Sequence, residues 1–425
     1  MEVRALSDNG KGKVNNRRRP AHSAAGKNAA AGVNSAAANN DGQSFTVIKG
    51  KRAKNKKAAF IRAIISTVII IAVIITLLFL NTKSPGGLVE WSRMMWASMG
   101  GGNGYPVTEP DRGIKSVYMQ GNNVLTFTDT SLAIYNKNGK QVRSILHGYN
   151  SPAICATQTR TLIYDRGASV FRVDNNYETL FEKKTDNSII TADMAENGTL
   201  AVATTVSGYS AEIKVYNKNF IEKSTHHVTS GDVTSLCVCK DGKHIVVATV
   251  TASGGYYRST ISKYALNSDK PVAEATYDGV VILSIEQLTN GNFLLVGDSL
   301  CATVTDKLAK QSELSYNGEQ LADYDVYGSQ AALLLGSSTL NYTVVNIASD
   351  GKEQSRKSYD TEIASVLKQE NHTYVLKSES IDCLDEACNV VKTYECMSGG
   401  AYLAGSGKGT ITVASVSSVN VISVK

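Results

Sequence analysis

The chain predicts an all-β protein: an eight-bladed β-propeller that follows an N-terminal transmembrane helix. Three observations lead there. Short runs of alternating apolar residues alternate with tight-turn signals from Tyr105 onward. Those runs recur about every 40 residues, the period of a four-stranded propeller blade. A single uncharged apolar run, AIISTVIIIAVIITLLFL at residues 63–80, stands apart from all of this.

That run comes first in the chain. As a helix its eighteen residues would span roughly 27 Å, close to the ~30 Å hydrocarbon core of a bilayer. Lys51, Arg52, Lys54, Lys56, Lys57 and Arg62 precede it and no basic cluster follows. Positive charge stays on the cytoplasmic side, so residues 1–57 are expected in the cytosol and the remainder outside. No small-residue cleavage site follows the run, which reads as an uncleaved anchor at 58–80, in contact with the lipid bilayer. A buried core helix would need a partner domain that the N-terminal side cannot supply.

Charge divides the same way. Residues 1–57 carry 13 Lys or Arg against Glu2, Asp8 and Asp41, whereas residues 81–425 carry 30 basic and 35 acidic side chains. The overall +6 therefore describes the tail and not a basic globular domain. The tail is rich in Ala, Asn and Gly and nearly free of large apolar residues, the composition of a disordered segment. Arg17, Arg18, Arg19 and the lysines at 51–57 suit anionic lipid headgroups, and no specific nucleic-acid contact is expected. The apolar stretch at 45–48 is a lone candidate docking peptide.

Residues 81–104 form a juxtamembrane segment. Leu88, Trp91, Met95 and Met99 share one helical face, with Trp96 beside it. Tryptophan favours the membrane–water interface, so a short helix resting on the outer leaflet is one reading. A stalk helix packed on the following domain is the other. The glycines of 100–104 then end the helix and read as a flexible joint.

The propeller is expected over 105–425. Asn-Gly and Asp-Gly pairs at 138–139, 197–198, 241–242, 290–291 and 350–351 suit hairpin turns because both central residues tolerate positive φ. First strands are placed near Ile114, Ala153, Ile189, Val233, Val281, Leu321, Ile363 and Ala401. In one module, residues 189–195, 199–206, 211–217 and 220–228 form successive strands. The last module supplies only three strands, and Tyr105, Pro106 and Val107 are expected to complete it, which removes two exposed sheet edges. Seven blades would result if one weak module were a linker.

These residues resemble quinoprotein-like and WD40-like propellers, without the Gly-His and Trp-Asp signatures of true WD40 repeats. More narrowly, the anchor, GGGNGYPV (100–107), SPAICATQTRTLIYDRG (151–167), ENGTLAVATTVSGYSAEIKVYNK (196–218) and GGYYRSTISKY (254–264) resemble a family of Gram-positive bacterial membrane-anchored propellers. That family carries no known activity, so the resemblance implies fold and topology alone. Quinone-dependent propeller enzymes place a stacked tryptophan and a calcium-binding acidic set in the central channel. Here both tryptophans, Trp91 and Trp96, precede the propeller, which argues against that cofactor.

The six histidines make no metal-ligand spacing, and no nucleophile elbow, P-loop, haem-attachment or EF-hand motif occurs. No cofactor, metal site or catalytic residue is therefore expected. His226 and His227 read as a solvated strand, and Asp382, Asp385 and Glu386 as a solvated hairpin turn. Cys155, Cys237, Cys239 and Cys301 fall in apolar strands, whereas Cys383 and Cys388 flank a tight turn and are a candidate disulfide.

Binding is the expected activity, with an envelope protein or glycan as partner. Second-to-third loops and blade-linking loops share one propeller face. Two such loops are long, 207–210 and 251–259, and they lie on adjacent blades. Tyr209, Tyr256, Tyr257 and Arg258 are thus expected together, with Tyr149 of the 147–150 link reaching the same face. Tyrosine and arginine suit interface hot spots. These tyrosines could equally pack back over the blade edge. An envelope enzyme or sensor acting on cell-wall glycan or peptide is the alternative. Acids converging in the channel would favour it.

Overall fold

The computed structural model describes residues 56–81 and 87–425, apart from Arg112, Thr339, Ser406, Lys408 and Lys425. The basic tail before Lys56 and its 45–48 stretch lie outside the described residues. Helix α1 (Lys56–Asn81) is continuous over 26 residues. Its described apolar side chains, Phe60 to Ile75, are exposed on all sides. Among the described residues no helix is long and apolar enough to cross a membrane. The described side chains of α1 end at Thr76, inside the apolar run.

The remainder is an all-β ring of eight four-stranded antiparallel sheets. Blades one to seven span 116–146, 152–184, 189–228, 232–278, 282–315, 320–359 and 365–395, each a meander of consecutive strands. Blade eight takes three strands from 400–423, the last of them β32 (Ser418–Ser423), and its fourth, β1 (Val107–Thr108), from the other end of the domain. Val107 pairs with Val419 and Thr108 with Ser418. The ring therefore closes as the short last module requires, one residue further along than 105–107, and the count is eight.

Alternation explains why each strand exists. In β19 (Phe293–Gly297), Phe293 and Leu295 join the cluster shared with blade four, while Leu294 and Val296 join the cluster shared with blade six. Side chains of period two thus serve two interfaces at once. Among the described residues there are eight such clusters, each bridging two adjacent blades. The core is a ring and not a ball. Middle strands such as β7 (Thr161–Asp165) are buried at every position, whereas the outer strand β17 (Pro271–Asp278) alternates between exposed and half-buried positions along most of its length.

Antiparallel order puts first-to-second and third-to-fourth turns on one face, here the lower, and second-to-third hairpins with the blade links on the upper. Helix α2 (Leu88–Ala97) docks on lower-face turns of blades one and two. Arg160 Nη2 donates to Glu90 Oε2 at 3.1 Å in a buried ion pair. Asn176 Nδ2 donates to Met94 O at 2.9 Å and to Ser98 Oγ at 2.7 Å. Packing on the domain, one of the two readings of this helix, is what the structure shows. The Leu88 side chain lies outside the description. The glycine segment is not a free joint: Asn136 Nδ2 and Asn138 Nδ2 both donate to Gly100 O, and Gly104 N donates to Asn138 O at 3.0 Å. A Cβ at Gly102 would meet Asn138 O at 2.2 Å and Lys140 N at 2.5 Å, so backbone contact itself demands glycine.

Beyond β1, Glu109 pins the closure. Its buried carboxylate accepts from Thr126 Oγ1 at 2.6 Å and Tyr135 Oη at 3.0 Å, both in blade one. Glu109→Ala would strand two buried hydroxyls and should destabilise the propeller by about 1–3 kcal/mol in urea unfolding. Gly102→Ala should loosen 98–106 from blade one without unfolding the ring, read as faster proteolysis confined to that segment.

Candidate binding face and central channel

The predicted upper-face residues divide into two kinds. The segments at 207–210 and 251–259 are hairpin tips more than loops. Strand β15 (His244–Ser253) pairs with β16 (Tyr256–Ala265) up to Ser253 opposite Tyr256, leaving only Gly254 and Gly255 as the turn. Both take positive φ, +62° and +86°, which a two-residue hairpin turn of this hand needs. The extra length therefore projects as a paired two-stranded ribbon. Tyr256 is 76% exposed and Tyr257 58%, on opposite faces of that ribbon. Arg258 Nε donates to Asp278 Oδ1 at 2.5 Å. Tyr209, at the tip of the blade-three hairpin, is 47% exposed and leans on the His227 ring at 4.4 Å. These four residues stand at the tips of adjacent blades.

Tyr149 does not join them. It is half-buried against the core shared by blades one and two, beside His147 at 5.3 Å, which in turn packs on Phe127. Burial pushes its phenol up to about 12. The backbone amides of Asn150 and Ser151 donate to the Asp165 carboxylate, which fixes the link. Packing over the blade edge is thus the correct reading for Tyr149, and in part for Tyr209 through the His227 ring of its own blade's outer strand. The same upper face holds a cleft of about 450 Å³ between blades one and two, bordered by Tyr118, Asn150, Arg166 and the Lys115–Asp129 ion pair.

Other sequence readings need correction. His226 is 2% exposed and packs near Tyr264 at 5.6 Å; only His227 of that pair is solvated. Asp382 is buried and pairs with Lys377 at 2.8 Å, while Asp385 does cap its turn, accepting from the amides of Ala387 and Asn389. Cys383 and Cys388 are not bridged. Cys383 lies opposite Lys392 in the ladder, and the Cys388 sulfur faces Asn346 Nδ2 and Ser355 Oγ of blade six.

The channel holds what sequence reading overlooked. The inner strands are sheet edges whose axis-side N–H groups have no partner within their own blade. Carboxylates from neighbouring inner strands cap them. Asp193 of blade three accepts from Val238 N of blade four at 2.7 Å and from the Cys155 thiol of blade two at 3.2 Å. Asp323 and Asp325 of blade six accept from Val366 N and Lys368 N of blade seven at 2.9 and 2.8 Å. Glu286 of blade five accepts from Tyr324 Oη at 3.2 Å. A detectable signal existed: acids at the centres of otherwise apolar strands in TADM, SIEQ and ADYDVY. Among the described residues, no three His, Cys, Asp or Glu side chains are grouped to hold a metal ion.

Burial raises all four carboxyls. Asp325 is pushed up to about 7, by burial first and then by the charges of Asp323 and Glu286. Between the usual carboxylate range and about 7 the native state holds this proton and the unfolded chain does not. The stability contributed by the protonated acid is therefore lost as pH rises through about 7. Asp325→Asn, which keeps an oxygen for Lys368 N, should stabilise the propeller by about 1–3 kcal/mol near pH 8. The gain should shrink steadily as pH falls below about 7 and vanish only below the usual carboxylate range, at about pH 4, as read from thermal unfolding of both proteins from neutral to acid pH.

Residues 106–424 match the profile of a family of unknown function, DUF5711, and the chain belongs to that family. The match begins after both helices, so membership speaks for the propeller. No curated protein sequence matches the chain. Among solved structures, Saccharomyces cerevisiae Sqt1 is similar, with a TM-score of 0.56 and 8% identity over 75% of this chain and 98% of that one. A eukaryotic initiation factor reaches a TM-score of 0.53 at 11% identity, covering 77% of this chain and 88% of that one. BamB from Moraxella catarrhalis scores 0.49 at 10% identity, covering 74% and 99%. At such identities the first two likenesses establish the propeller fold alone, and the third carries no argument.

Proposed function

We propose that this propeller is a membrane-anchored, extracytoplasmic, non-catalytic binding or scaffold module of a bacterial cell envelope, with a protein as its partner. The anchor is α1: a helix apolar and exposed on all sides has no stable home in water, and lipid is the solvent that suits it. The basic residues before it support an extracytoplasmic propeller. The observation that carries binding is the pair of projecting hairpin tips on blades three and four. Tyr209, Tyr256 and Tyr257 are large, amphipathic and costly to leave in water, yet nothing in the fold requires the extra hairpin length.

The channel acids support the same reading. Each is committed to a neighbouring strand, a role in assembly that needs no substrate. The enzymatic alternative draws on Asp325, whose carboxyl is raised into the range of a general acid or base beside Asp323 and Glu286. Cell-wall glycan, which also stacks on tyrosine, is the alternative ligand.

Replacing Tyr256, Tyr257 and Arg258 together by Ala should leave the thermal midpoint within a few degrees of the parent. In-cell crosslinking followed by mass spectrometry should then lose a reproducible set of envelope proteins that the parent captures. Unchanged capture by the triple variant would refute the hairpin tips as the binding surface. Capture abolished instead by Asp325→Asn would move the site into the channel.

A further inference from the structure

We propose that α2 is an interfacial bracket: its Trp91, Met95 and Trp96 face, continued by Met99 just beyond the helix, lies in the headgroup region of the bilayer and holds the lower face of the propeller toward the lipid. This rests on the membrane-anchored reading of α1.

The two sides of α2 differ in what they touch. One side is fixed to the propeller by polar contacts. Glu90 is 9% exposed and receives Arg160 Nη2 at 3.1 Å and Asn175 Nδ2 at 3.4 Å. Asn176 holds Met94 O and Ser98 Oγ, and Asn136 holds Ser98 O at 3.0 Å. An amphipathic helix docked on a protein normally turns its apolar side inward. Here Val89, Met94 and Ala97 are half-buried, but the largest apolar side chains described face outward. Trp91 is 58% exposed, Met95 42%, Trp96 72% and Met99 56%.

Three observations select lipid as the occupant. First, the chain between Asn81 and Leu88 spans seven Cα steps, at most about 25 Å when fully extended, so α2 cannot leave the vicinity of the anchor's end. Second, the exposed side chains are of the type that settles at a bilayer surface, tryptophan above all. Third, the turns that hold α2 also carry Lys137 and Lys140, exposed beside the helix and suited to anionic headgroups. Every propeller residue that grips α2 belongs to a lower-face turn. The tyrosine tips are on the upper face, so the bracket presents them away from the membrane.

The chain has only two tryptophans, both in α2, so its tryptophan emission reports this helix alone. The full chain would be reconstituted in phosphatidylcholine–phosphatidylglycerol vesicles and its incorporation confirmed by flotation. Emission would be compared in vesicles whose phosphatidylcholine carries bromine high or low on the acyl chains. The inference expects at least twofold stronger quenching by the shallow bromines than by the deep ones, and about half of that quenching retained in Trp96→Phe. Floating protein with unquenched tryptophan would overturn the bracket and leave the anchor standing. Unquenched emission that shifts with protein concentration would assign the face to a second copy, again overturning it. Failure to float would remove the anchored reading and this inference with it.

Discussion

Each blade buries both of its faces only against neighbouring blades, and this one constraint governs the rest of the molecule. A four-stranded sheet of this kind has no core of its own; the eight clusters all belong to pairs. An open stack would leave two apolar faces and two sheet edges in water. The ring must close, and it closes through two residue pairs between β1 and β32. So small a junction is sufficient because Glu109 ties the same segment into blade one. Closure also sets which face α2 can occupy.

The same constraint explains the channel. Inner strands gather around an axis where no further strand pairs with their edges. Acids at Asp193, Asp323 and Asp325 satisfy the exposed amides by reaching across blade boundaries. Their hydrogen bonds run through blades two, three and four, and again through five, six and seven. A carboxylate used this way sits deep in protein, and its raised pKa is the cost of that position.

Much of this was legible in the sequence. Alternation with period two and Asn-Gly or Asp-Gly turns placed the strands of blade three within a few residues, because turn chemistry and burial act locally. The missing eighth-blade strand was legible because the last module holds only three strands where each blade needs four. What escaped depended on contacts distant in sequence. Gly100, Gly102 and Gly104 look like a flexible linker in isolation; only the Asn138–Lys140 turn makes them a packed one. Tyr149 and Tyr256 carry the same side chain, and their neighbours alone decide that one packs while the other projects. His226 and Asp382 were read as solvated for the same reason.

The closure also has a mechanical meaning. Any pull on the chain ahead of the propeller would reach it as tension along that leading segment. Unprotected, that tension would fall on β1 and peel open the two-residue junction on which the ring depends. Before it reaches Val107, however, it must pass the ion pair of Glu90 with Arg160, the amides of Asn176 and Asn136, and the glycines laid against blade one. These contacts spread the load over blades one and two and spare the seam. The polar side of α2 thus acts as strain relief, the way a cable clamp protects a soldered joint.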